Sequence, residues 1–261
     1  MIRLYYTPGG ANMVVRAVLE HIGTPYELKP VNSDSGENRS EEFLELSPDG
    51  RVPALVDGRV TMHESSAIAM YLSDRFSDAG LVPDIDPDRS RYYMWMVLLG
   101  NTVEEALLRW YHSDAYVAGK PEQAAVKLAA EARLIELWGR VDDALDGRSY
   151  LTGNTMTTAD LMLFMLCFWS RRMKSPPSRW DNISIWLQDM QDQECIRAMM
   201  SQEGLAWVLL PELVPCHPGR REALSRGLES STHAYRGPGS PLRYGRDDTR
   251  PQAIRSPTAL R

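Results

Sequence analysis

Three short stretches carry residue types that could do chemistry. The first is Glu64-Ser65-Ser66, an acid and two hydroxyls placed directly ahead of an apolar-periodic run of good helix formers. A helix begins with backbone N–H groups that lack intrahelical partners and with the positive end of its dipole, so this start suits a carboxylate ligand. Ser65 also reads as a simple helix cap. The second stretch is Arg51-Val52-Pro53, where a proline enters a strand. The third is Thr7-Pro8-Gly9-Gly10-Ala11-Asn12, a turn that ends at a helix start, where Asn12 suits the cap position. Cys167, Cys195 and Cys216 are widely spaced, with no CxxC pair and no His cluster. They read as reduced, mostly buried thiols of a cytoplasmic protein, and no metal is expected.

The elements that position these stretches follow from periodicity. Residues 2–6 (IRLYY) form a strand pattern, and Met13 to Ile22 repeats apolar residues at helical spacing before Gly23 stops it. Residues 26–31 (YELKPV) predict a second strand and Glu41–Leu46 a short helix. Ala54–Val56 and Val60–His63 predict a hairpin turning at Asp57-Gly58 with positive φ at both turn positions. The helix opened by Glu64-Ser65-Ser66 runs to about Phe76. The order β-α-β-α-β-β-α predicts a small mixed α/β domain over residues 1–78.

A proline-punctuated linker, residues 79–87, precedes a change of character. Asp88 to about Val117 predicts one long helix, bent near Gly100, and Lys120 to Leu145 a second. Thr157-Thr158-Ala159-Asp160 has the spacing of a capping box, with Asp in place of the usual Glu. The helix it opens, to about Arg172, is apolar all round and so predicts a central buried helix. Residues 183–191 and 194–202 predict two more, giving an all-helical domain over 88–214. Residues 215–261 are rich in Arg, Pro, Gly and Ser and read as a flexible basic tail. The net charge of −6 gives no electrostatic reason to expect nucleic acid or an anionic membrane as a partner. No apolar run reaches membrane-spanning length, and the first residues are a strand pattern rather than a signal peptide.

The combination Val52-Pro53-Ala54-Leu55, Glu64-Ser65 and Ala67-Ile68, with Thr157–Asp160 further on, resembles the cytosolic glutathione S-transferases over about residues 2–210. The resemblance implies a thioredoxin-like α/β domain followed by a helical bundle, a homodimer in which Gly100 permits close helix approach, and glutathione as co-substrate. It implies a cis Pro53 that presents the Val52 backbone to the cysteinyl part of glutathione, with Glu64 and Ser65 on the γ-glutamyl group. Arg51 lies beside that pocket, either meeting the glycyl carboxylate or remaining a solvated charge. Family chemistry requires a stabilised thiolate. The family's usual Cys or Ser positions fall on Ala11 and Asn12, so Asn12 is the leading candidate donor and also a candidate cap, with Tyr6 and Thr7 as nearby hydroxyls. An apolar electrophile is expected between Ala11 and the first long helix, which offers Tyr92, Met96 and Trp110. The implied activity is attack of the glutathione thiolate in substitution, addition or ether cleavage. The alternatives are glutathione-dependent disulfide or peroxide reduction and a non-catalytic binding module.

Overall fold

The computed structural model describes residues 1–206. The expected tail and Cys216 lie outside the described residues. Four strands form one mixed sheet in the order β2-β1-β3-β4: β1 (Ile2–Tyr6), β2 (Tyr26–Pro30), β3 (Ala54–Asp57) and β4 (Val60–His63). β1 pairs parallel with β2 and antiparallel with β3, Leu4 standing opposite Leu28 and Leu55. Side chains alternate across the pleat. Ile2, Leu4 and Leu55 therefore join the main core beneath α1 (Asn12–Ile22) and α3 (Ser65–Arg75). Tyr5 and Ala54 turn to the other face, with Phe43 of α2 (Glu41–Leu46).

The hairpin differs from expectation in one respect. Asp57 is the last strand residue, paired with Val60, so the turn is Gly58-Arg59 and only Gly58 has positive φ, at 62°. A glycine at the first turn position is sufficient for a two-residue hairpin.

The expected long helix is three pieces: α4 (Asp88–Leu98), a π turn (Leu99–Glu104) and α5 (Glu105–Tyr111). Gly100 sits in the π turn, where an added Cβ would lie 3.2 Å from Ser66 Oγ. The close approach it permits is thus to the start of α3 within the same chain. Then follow α6 (Lys120–Leu145), α7 (Thr158–Ser170), α8 (Asp181–Gln191) and α9 (Glu194–Gln202). α7 is buried along nearly its whole length, as its sequence predicts. Thr157 and Asp160 form the expected capping box, and Thr158 N–H donates to Leu81 O at 3.0 Å, which fixes α7 to the linker. α1 packs against α7 and α9 as well as α3, so one continuous core runs from β1 to α9. No helix among the described residues is long and apolar enough to cross a membrane.

Candidate functional site

A cleft of about 1120 Å³ lies between the sheet domain and the helices. It is large enough for two small substrates. Its lining brings together Arg51, Val52, Pro53, Glu64 and Ser65, with Ala11 from the start of α1. The Val52–Pro53 bond is cis, and the Val52 N–H and C=O have no partner among the described residues.

Glu64 occupies the N-cap position of α3 with φ of 74° and makes no side-chain cap. It is the one non-glycine among the described residues with positive φ. Such a conformation costs roughly 1–3 kcal/mol and persists where the surroundings impose it, often at a ligand site. The consequence is that Ser65 is the first helical residue and not the cap. Its hydroxyl bonds to nothing in the described protein, and the first intrahelical bond runs from Ile68 N–H to Glu64 O. The uncapped N–H groups of Ser65 and Ser66 therefore border the cleft.

Beside Val52, the Pro8–Ala11 loop leads into α1. Gly10 N–H bonds to Thr7 O and Met13 N–H to Gly10 O, leaving the Ala11 and Asn12 N–H groups as the free donors of the helix start. A Cβ on Gly10 would lie 2.7 Å from Asn12 Oδ1 and 3.0 Å from Thr7 O, so the loop tolerates no side chain there.

The other candidate site residues lie outside this lining. Asn12 is fully buried (0% exposed) and does not border the cleft. Its Nδ2 donates to Glu203 Oε1 at 2.8 Å, and its Oδ1 accepts Thr7 N–H at 3.2 Å. Asn12 is not the helix cap either, since it is the first residue of α1. The Thr7 hydroxyl is committed to Val31 O at 2.7 Å, and the Tyr6 ring packs under Arg16. Tyr92 and Met96 are core residues, each 1% exposed, and Trp110 lies beneath Lys127 of α6. None of these borders the cleft. The helical wall is instead Glu104, Leu108, Tyr111 and His112, with Trp169 and Leu205 beyond. Glu104, Leu108 and His112 recur every fourth residue, a helical stripe readable from spacing once the phase of the helix is known. Leu205 carried no comparable signal.

Glu104 is half-buried opposite Glu64 and Arg51. Burial, and then the Glu64 carboxylate, push its carboxyl up to about 7, against the opposing pull of Arg51. No cysteine among the described residues borders the cleft. Cys167 and Cys195 are buried, and burial raises both thiols, Cys195 to about 11. Among the described residues, no three His, Cys, Asp or Glu side chains gather as a metal site would require.

The sequence matches the glutathione S-transferase N-terminal domain family over residues 1–74 and the glutathione S-transferase C-terminal domain family over residues 104–194. Glutathione S-transferase GST-4.5 of Xanthomonas campestris pv. campestris is 28% identical over 208 residues, covering 78% of this chain and all of the relative. Glutathione S-transferase hmp2 of Hypomyces subiculosus is 31% identical over 173 residues, covering 62% of this chain and 78% of the relative. The crystal structure of a glutathione transferase homologue from Sulfitobacter, with bound glutathione, superposes with a TM-score of 0.73 at 22% identity, covering 79% of this chain and 99% of that one. Two family domains in the same order, on a fold with a cis Val52–Pro53 and an uncapped α3 start, establish that the chain belongs to the glutathione S-transferase family.

Proposed function

We propose that this glutathione transferase binds glutathione along the sheet-domain wall and presents its thiolate to a small apolar electrophile. The carrying observation is that three sets of unsatisfied backbone groups face one cleft: Val52, the start of α3 and the start of α1. In this reading the γ-glutamyl carboxylate takes the Ser65 hydroxyl and the adjoining N–H groups, and the ammonium lies between Glu64 and Glu104. The cysteinyl backbone pairs with Val52, and Arg51 attracts the glycyl carboxylate. The sulfur then arrives at the N-terminus of α1, where the Ala11 N–H and the helix dipole favour thiolate over thiol. The role expected of the Asn12 side chain passes to this backbone. The thiolate attacks the electrophilic carbon, and the leaving group departs with the bonding electron pair in a substitution. Leu108, Tyr111, Trp169 and Leu205 supply an apolar wall for the electrophile. The absence of a cleft cysteine among the described residues gives a protein-thiol reductase mechanism no support.

The test is a titration of the protein with glutathione, followed by the ultraviolet absorbance of thiolate at neutral pH, alongside turnover of a generic aryl halide. Binding without ionisation or turnover would reduce the protein to a binding module.

Glu104 gives the site a pH dependence of definite sign. Its carboxyl is neutral below about 7 and charged above. A bound ammonium stabilises the charged form, so glutathione affinity is expected to rise from pH 6 to pH 8. Glu104→Gln should flatten that rise and weaken binding at pH 8 by about three- to tenfold, measured by calorimetry. Without ligand the sign is opposite. The native carboxyl keeps its proton to higher pH than an unfolded one, so its contribution to stability is lost as pH rises from about 4.5 to about 7.

A homodimer through α4 belongs to the same reading. Tyr93, Met94 and Val97 stand exposed on that helix, an apolar face that a partner would cover. Light scattering is expected to give a dimer mass for the unaltered protein and a monomer mass for the double substitution Met94→Glu, Val97→Glu. A monomeric unaltered protein would refute the assignment.

A further inference from the structure

Glu203, one residue beyond α9, grips the loop at the start of α1 from the opposite end of the described chain. Its carboxylate is fully buried. Oε2 accepts Gly9 N–H at 2.8 Å, and Oε1 accepts Asn12 Nδ2 at 2.8 Å. From α7, Trp169 Nε1 donates to Gly9 O at 2.9 Å. Both polar groups of Gly9, whose φ is 75°, are thus fixed by the helical half of the molecule. Asn12 passes the constraint on through its bond from Thr7 N–H. Arg16 of α1, also buried, places Nη1 3.5 Å from Glu203 Oε1 and donates from Nη2 to Gln202 Oε1 at 2.7 Å. A carboxylate this close to the loop would by charge alone oppose a thiolate. Arg16 balances that charge, so what remains is the geometric hold on the loop.

We propose that Glu203 is a positioning residue for thiol activation: it fixes the Gly9–Asn12 loop so that the free N–H groups at the α1 start stay where the glutathione sulfur arrives. The inference rests on the glutathione reading above. It also gives Asn12 a role that its position in the loop does not announce, as the strut between Glu203 and Thr7.

Positioning and simple charge predict opposite signs. Removing a negative charge next to the loop would by itself make the thiolate easier to form. Glu203→Gln keeps the size of the side chain, but its amide accepts from one loop donor and faces the other with its own N–H groups. The pKa of bound glutathione, read from thiolate absorbance against pH, is therefore expected to rise by about one unit, with kcat at pH 7 lower by about tenfold. Affinity for S-methylglutathione, which has no thiol to ionise, should change less than about threefold. Trp169→Phe releases the other side of Gly9, should move the thiol pKa in the same direction, and decides the matter if Glu203→Gln does not fold. A thiol pKa that falls in Glu203→Gln would make Glu203 a mere neighbouring charge and overturn the proposal, as would an unchanged pKa in the folded variants. If the unaltered protein fails to bind S-methylglutathione, the glutathione reading itself is refuted, and the positioning role with it.

Discussion

Asp160→Ala is expected to lower the free energy of unfolding by about 3–4 kcal/mol, measured by urea denaturation at pH 5. Asp160 is wholly buried at the first turn of α7. Its Oδ1 accepts Leu151 N–H at 2.9 Å, and its Oδ2 accepts both the N–H and the hydroxyl of Thr157 at 2.9 Å. Alanine would strand two backbone N–H groups in the interior, and each stranded donor costs about 1–3 kcal/mol. The damage extends beyond α7. Thr158, next to the cap, holds the linker through Leu81 O and shares a 2.6 Å hydrogen bond with Ser73 of α3. The melting temperature should drop by roughly 6–12 °C. The effect also has a pH sign. Burial pushes the Asp160 carboxyl up to about 6 against the three hydrogen bonds from Leu151 and Thr157 that favour its charge. The native group therefore holds its proton longer than an unfolded carboxyl does, and its contribution shrinks as pH rises from about 4 to about 6. The gap between unaltered and variant protein should be wider at pH 5 than at pH 7. A variant within about 1 kcal/mol of the unaltered protein would show that water replaces the carboxylate.

Ser65→Ala should do the reverse, leaving stability alone and weakening glutathione binding about ten- to hundredfold, as a charge-assisted hydrogen bond contributes about 1.5–3 kcal/mol. The reason is the position of Ser65. A capping serine would cost about 1 kcal/mol of stability when replaced by alanine. Ser65 instead follows the cap, and its hydroxyl has no partner among the described residues. Alanine is also the better helix former. The two measurements are a urea midpoint and a calorimetric titration with glutathione. Lost stability with normal affinity would return Ser65 to a scaffold role and displace the γ-glutamyl group from the start of α3.

How far the site could be read in the sequence depended on the range of each interaction. The sheet-domain wall was legible because its geometry is local. Asp57-Gly58 marks a hairpin, and Glu64-Ser65-Ser66 marks a helix start eleven residues after Pro53, so both fall on one edge whatever lies across from them. The helical wall differs from the sequence expectation because the long helix 88–117 is not continuous. Its π turn at Leu99–Glu104 widens the helix and resets its phase. Tyr92 and Met96 accordingly face the core while Glu104 and Leu108 border the cleft. Asn12 stands at the expected helix start, but its amide answers to a carboxylate 191 positions away and so turns from the cleft.

The sequence by itself determined the strands, nearly every helix, the buried course of α7 and the cleft residues Val52, Pro53, Glu64 and Ser65. Periodicity, turn residues and caps act within a few positions, and they suffice for that. Only the tertiary structure decided that Ser65 follows the cap of α3, that the Asn12 side chain is buried away from the cleft, and that Glu203 and Trp169 hold Gly9 from both sides. Those outcomes depend on burial and charge balance among groups far apart in the chain, and no local pattern records them.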